Sequence, residues 1–421
     1  MKDMIDQELS NSDQELGKTV AIIGGGPAGL MAAEHLATAG LKVDLYDAMP
    51  SVGRKFLLAG KGGLNLTHSE PLPRFISRFG KDADRFAPWL EEFGPEQVRA
   101  WAVGLGVETF VGTSGRVFPA EFKAAPLMRA WVRRLRGLGV RFHPHCRWLG
   151  FDANNALQFT DKERGLTISS DAALLALGGA SWPKLGSDGG WASMLERSLG
   201  CRTAAFKPAN CGFLTGWSEH MRSHFGSPLK TVALTFQGRR LKGEALIADY
   251  GIEGSAIYAL SAALRDAIEA EGHALLEIDL KPDLTLEQIR ERLAKPRGRL
   301  SQSNWLRKAL NLPPVAIALL RECAPAPTAE AIKALPLILT GTRPMEEAIS
   351  TAGGLLFEEL DENFMIKRRP GLFAAGEMLD WEAPTGGYLL TGCLSQGVAA
   401  ARGIMEWLDI HPNDRSGDLT P

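Results

Sequence analysis

Six residues near the start, Gly24-Gly25-Gly26-Pro27-Ala28-Gly29, constrain this chain more than any other stretch. They follow a short β-branched run at 19–24 (TVAIIG) and lead into residues 28–39, which have helical composition and stop at Gly40. A second apolar run at 41–46 ends at Asp47. Strand, glycine turn, helix and strand make a βαβ unit, and an unbroken apolar strand belongs in a sheet covered on both faces. In that setting the G-x-G-x-x-G spacing has a mechanism. Gly24 makes the tight turn, Gly26 lets backbone approach a pyrophosphate, and Gly29 allows helix and strand to pack closely. Pro27 and Ala28 open the helix, whose unpaired N–H groups favour phosphate. Asp47 lies eighteen residues after Gly29, near the roughly 20-residue spacing of a carboxylate that accepts from ribose hydroxyls and disfavours a 2′-phosphate.

The bulk numbers narrow the classes. The chain has 421 residues, 45% of them hydrophobic, enough for two or three structural units. Lys plus Arg number 47 against 49 Asp plus Glu, so any nucleic-acid or membrane partner needs a local patch. Cys146, Cys201, Cys211, Cys323 and Cys393 are scattered, with no CxxC or Cys/His ligand spacing. That argues for a reduced compartment and against a structural zinc site or a dithiol redox pair. Residues 1–18 are polar, without the apolar core of a signal peptide, and no apolar run reaches about 18 residues. A cytoplasmic protein without a membrane span is expected.

Further along, 123–137 reads as helix, 140–142 as strand, and 172–177 (AALLAL) as a buried strand running into Gly178-Gly179. Residues 206–254 change to short alternating runs, which suggests an inserted antiparallel β unit. Residues 255–335 are Ala/Leu-rich, charged and broken by prolines, and read as a helical cap. An apolar strand returns at 371–376 (GLFAAG), followed by a glycine-rich turn and a helix over 390–408; residues 409–421 form a polar tail.

Two more stretches carry chemistry. Residues 53–67 (GRKFLLAGKGGLNLT) read as a glycine loop whose amides can meet a flavin's ring or diphosphate while Arg54 and Lys55 counter its charge. Residues 371–397 bring a strand ending at Gly376, the acidic Glu377 and Asp380, and Gly386-Gly387 at a helix start. A helix N-terminus aimed at a flavin's pyrimidine edge would stabilise the charge gathered there on reduction.

Taken in order, GGGPAG, GRKFLLAGKGGLNLT, GRVFPAEFKAAP (115–126), ALGGASWPKLGSDG (176–189), GEALIADYGIEG (243–254), TAGGL (351–355) and GLFAAGEMLDWEAPTGGY closely resemble the YhiN/BaiN-type bacterial flavoproteins, the aminoacetone-oxidase family, over about residues 20–401. The resemblance implies an α/β fold: a glutathione-reductase-like FAD-binding Rossmann domain interrupted by an inserted β unit and a helical cap. On that basis 18–204 is the first part of the FAD domain, 205–254 the β unit, 255–336 the cap and 337–408 the return to both. FAD contacts would fall on Gly24, Gly26, Pro27, Ala28, Gly29, Asp47, Lys55, Gly60, Gly62, Asn65, Gly178, Gly376, Glu377, Asp380, Gly386, Gly387 and Tyr388, with the adenine near Cys146. The chain departs from the family's G-G-G-R-C-N at Gly63 and Leu64, and from its G-G-Y-N-L-Q at Leu389 and Thr391.

The family's activities are amine oxidation, reduction of conjugated steroid double bonds, and reduction of uracil in ribosomal RNA. All are compatible with hydride exchange at flavin N5, with a small-molecule substrate and external NAD(P)H as reductant. A non-catalytic redox sensor is the other alternative. For RNA, residues 281–308 hold eight Lys/Arg against three Asp/Glu, and Arg133, Arg134, Arg136, Arg141 and Arg147 form a second cluster. The residues nominate no catalytic acid outright; Asn65 and Tyr388, which flank the expected ring, are the candidates.

Overall fold

The computed structural model describes residues 17–60, 62–161 and 164–410, so most of the polar leader and tail lies outside the described residues. The chain divides into two compact units: 1–206 with 352–421, and 207–351.

The first unit is built on five parallel strands: β1 (Thr19–Ile23), β2 (Lys42–Asp47), β3 (Arg141–Pro144), β4 (Ala172–Leu175) and β5 (Leu372–Ala374). Their order is β5-β4-β1-β2-β3. β1 and β4 are buried almost throughout, which explains their unbroken apolar sequences. Helix α1 (Pro27–Thr38) starts with proline at its first turn, where the missing N–H is no loss. The long α4 (Tyr388–Trp407) lies against α1, and Gly397 permits the approach: a Cβ there would meet the Ala28 carbonyl oxygen at 2.5 Å. Buried Glu34 of α1 accepts from the indoles of Trp101 (3.2 Å) and Trp131 (2.6 Å) and from Arg134 (2.8 Å). That shared carboxylate fastens α3 (Ala124–Gly137), which carries Trp131 and Arg134, to α1.

Residues 53–67 are not one loop. Helix α2 (Arg54–Ala59) occupies its first half, capped by Gly53 at φ 69°. The flanking glycines signalled a turn, but they mark the ends of a helical turn instead.

The second unit departs further from expectation. Seven strands run in the order Leu335–Leu339, Ala274–Asp279, Ser227–Phe236, Arg239–Ala248, Gly251–Glu253, Phe213–Leu214, Gly341–Thr342, each pair antiparallel. The first and last are consecutive in the chain. Thr340 N donates to Leu214 O (2.9 Å) and Thr215 Oγ1 to Ile338 O (2.7 Å), so the sheet curls into a barrel. The expected separation into a β unit (205–254) and a helical cap (255–336) is therefore corrected. Strands 274–279 and 335–339 lie inside the stretch read as cap and close the same sheet. Phe213, Leu234, Ile247, Leu276 and Leu337 share one core with Ile317 and Leu319 of helix Pro314–Cys323.

Candidate functional site

In the first unit, the strand order reverses between β1, which continues to β2 on one side, and β4 on the other. A parallel sheet opens a crevice at the carboxyl ends of strands flanking such a switch. A cavity of about 280 Å³ lies there, lined by residues at or just beyond the ends of β1 (Gly24), β2 (Asp47), β4 (Ala176) and β5 (Gly376).

The glycines of the first turn divide the work as the spacing predicts. Gly24 has φ +109°, and a Cβ there would stand 2.2 Å from Ala176 O. A Cβ on Gly29 would meet Gly24 O at 2.1 Å, so helix and strand touch. At Gly26 a Cβ would meet nothing within 4 Å. The open side of the turn thus faces the cavity, where a diphosphate can reach backbone. Asp47 accepts from Gly25 N (2.9 Å) and Met49 N (2.8 Å). Burial holds its carboxyl above the usual range despite those two amides and nearby Arg54. An ionised carboxylate has about four acceptor sites, so capacity for ribose hydroxyls remains.

Pro27, Ala28, Lys55, Cys146, Gly178 and Glu377 also line the cavity. Lys55 Nζ lies 2.7 and 2.9 Å from the two carboxylate oxygens of Glu377 and 2.7 Å from Ser181 Oγ. Two stretches 322 residues apart therefore meet across the crevice. They meet again where Thr391 Oγ1 donates to Thr67 Oγ1 (2.8 Å), and where Gly387 packs so closely that a Cβ would lie 2.4 Å from the Thr67 backbone.

Other nominated residues stand apart from this cavity. Gly60 abuts Ala124, which a Cβ would meet at 2.3 Å. Gly62 is exposed, and Asp380 pairs with Lys81 at 3.4 Å. Gly386 and Gly387 form the turn into α4. Tyr388 donates to Glu70 (2.7 Å), stacks on His68 and is held under the Arg78 guanidinium. Burial and the neighbouring carboxylate push its phenol well above the ordinary value. Asn65 is half-buried, and its Oδ1 is shielded without a hydrogen-bond partner among the described residues.

Sequence reasoning missed Trp148, Ser181, Cys393 and Gln396. Trp148 and Cys393 line the cavity, and the indole Nε1 of Trp148 is buried without a hydrogen-bond partner among the described residues. Trp148 alternates with Cys146 on the buried face of strand Cys146–Phe151, a pattern visible only once that strand is recognised. The orphaned Nε1, the shielded Arg54 Nε and the open space at Gly26 all suit an elongated polar ligand with a diphosphate, so these residues fit FAD.

Residues 18–403 match the model of the HI0933-like protein Rossmann domain. The chain belongs to that family. It is an FAD-dependent oxidoreductase with a Rossmann-type FAD-binding domain. Among curated proteins it is 26% identical to the 3-dehydro-bile acid delta(4,6)-reductase of Clostridium scindens, across 92% of this chain and 99% of that one. It is 25% identical to the ribosomal RNA dihydrouridine synthase of Escherichia coli, across 91% of this chain and 97% of that one. Among solved structures it superposes on the 3-ketosteroid-delta4-(5alpha)-dehydrogenase of Rhodococcus jostii RHA1 with a TM-score of 0.50. Identity there is 17%, over 94% of this chain and 98% of that one, a likeness of fold. No helix among the described residues is long and apolar enough to cross a membrane.

Proposed function

We propose that this protein reduces a small organic substrate at a C=C bond conjugated to a carbonyl, receiving its electrons from external NAD(P)H. The observation that carries the reading is the one glycine turn at the switch point, opposite the Lys55–Glu377 junction, which supplies a cradle for a single dinucleotide. When bound there, FAD supplies a hydride acceptor and donor at N5. The residues that would hold it all line the cavity: the 24–27 turn would take the diphosphate, Asp47 the ribose and the 146–148 strand the adenine. The substrate class follows the full-length likeness to a bile acid reductase. Amine oxidation would use the same cleft with hydride running the other way. The five cysteines, scattered along the chain with no CxxC spacing, favour a reducing compartment, which we take to be the cytoplasm.

An anaerobic screen tests this. The flavin is expected to bleach with NAD(P)H and to regain its colour with an enone. Failure of NAD(P)H, enones, amines and ribosomal RNA alike to change its redox state would leave a flavin-binding sensor instead.

A second reading, with ribosomal RNA as substrate, rests on a surface feature of the second unit. Arg292, Lys295, Arg297, Arg299, Arg307 and Lys308 are all exposed, and none is in an ion pair among the described residues. By contrast Arg134, Arg141 and Arg147 of the other cluster are paired with Glu34, Asp44 and Asp188. RNA binding that falls steeply with salt, and loses slope when these six are neutralised, would favour this reading.

A further inference from the structure

Lys55 invites a simple assignment, that its ammonium neutralises the cofactor's diphosphate. The geometry points elsewhere. An ammonium has three N–H donors. Lys55 Nζ has three acceptors within 2.9 Å: Glu377 Oε1, Glu377 Oε2 and Ser181 Oγ. Its hydrogen-bonding capacity is consumed inside the protein, on a carboxylate whose side chain is only 8% exposed.

Glu377 is also fixed at its root. The N–H of Gly376 donates to Gln396 Oε1 (2.8 Å), and the carbonyl of Gly376 accepts from Trp381 Nε1 (2.9 Å). Gln396 is fully buried, and Trp381 nearly so. A Cβ on Gly376, at φ +89°, would meet Ala28 at 2.8 Å, which seats this peptide directly on the start of α1. The turn at 376–377 is thus clamped at its peptide and at its carboxylate tip.

We propose that Lys55 is a positioning residue that acts through Glu377. The two enter the cleft as a neutral unit, on a wall that the hydrogen bonds of the Gly376 peptide to Gln396 and Trp381 already hold in place. The diphosphate's negative charge is then left to the backbone amides and helix N-terminus of the 24–27 turn. This rests on the reading that the cleft binds FAD, and it adds a division of labour which that reading does not contain.

The two assignments of Lys55 differ in one double variant. If Lys55 acts through Glu377, Lys55→Met takes the ammonium away from a carboxylate that lines the same cleft as a dianionic diphosphate, and FAD affinity falls by about tenfold or more. Glu377→Gln alone keeps FAD within about threefold of wild type, and adding it to Lys55→Met restores affinity to that range. If Lys55 instead contacts phosphate directly, the double variant binds as weakly as Lys55→Met.

Affinity is read by flavin fluorescence quenching on the full-length protein, with the midpoint potential of the bound flavin as a second readout. Glu377→Gln exposes the ammonium's charge and moves the potential positive; Lys55→Met exposes the carboxylate and moves it negative. A tenfold change in relative affinity for reduced and oxidised flavin corresponds to ~30 mV. Shifts of the same sign, or a double variant without recovery, overturn the proposal. Should Lys55→Met fail to fold, Glu377→Gln decides alone: a loss of FAD affinity beyond about tenfold contradicts the neutral pair. Wild-type protein that takes up no FAD would refute the cofactor reading itself, which is a separate failure.

Discussion

Around the turn at 24–27 the cavity wall is backbone beside open space, whereas around Tyr388 side chains are locked onto one another. Gly26 faces the cavity with nothing within 4 Å of a Cβ, and its φ of −82° is one any residue adopts. Tyr388 is 5% exposed, bonded to Glu70, which in turn is gripped by Arg78 through two hydrogen bonds of 2.9 and 2.8 Å. The first region is organised to receive a ligand and the second to hold the chain's two remote stretches together. Proximity to the expected flavin ring is therefore a poor guide to a catalytic role.

The sharpest break between these regions comes from two glycines of one turn. Gly26→Val is expected to stay folded while losing FAD by at least ~100-fold, about 2.7 kcal/mol. Gly29→Val should lose the fold itself, because its Cβ would lie 2.1 Å from Gly24 O. Circular dichroism and flavin content separate the two outcomes. A Gly26→Val protein that retains stoichiometric FAD would show that the open face of this turn is not the diphosphate site.

A smaller effect is expected at the other region. Tyr388→Phe removes one hydrogen bond to a buried carboxylate that keeps Arg78, costing ~1–2 kcal/mol in urea unfolding. FAD content should stay stoichiometric. Loss of FAD without loss of stability would return Tyr388 to the cofactor site.

The smallest is a pH effect. His68 stacks on Tyr388, and its Nδ1 accepts from Glu70 N (3.1 Å). Burial, the largest influence, lowers its pKa below 6.5, against the pull of Glu70. A histidine kept neutral by folding contributes stability that is fully present above its unfolded pKa and is lost as pH falls through the lower folded value. The melting temperature should therefore decline as pH drops below about 6.5, and His68→Gln should flatten that decline. An unchanged slope in the variant would assign the decline to other groups.

The legibility of the molecule follows the same division. β1 and β4 could be read because strands buried on both faces leave apolar runs, and the steric demands at Gly24 and Gly29 because the local turn fixes them. The strand Ala274–Asp279 could not, since its short alternation (ALLEID) lies among Ala/Leu-rich helices and gains meaning only from Leu335–Leu339 beside it. The Lys55–Glu377 pair could not be read, because the two residues lie 322 positions apart. At Gly60 and Gly387 a Cβ would collide with Ala124 and Thr67, a packing demand between remote stretches that a local glycine pattern does not reveal.

The central claim is that stretches near the two ends of this chain enclose one flavin nucleotide. The most direct measurement is the ratio of released FAD to protein after denaturing the purified full-length chain, supplemented with FAD before desalting. The account predicts one FAD per chain. Colourless protein that releases none after saturation would contradict it.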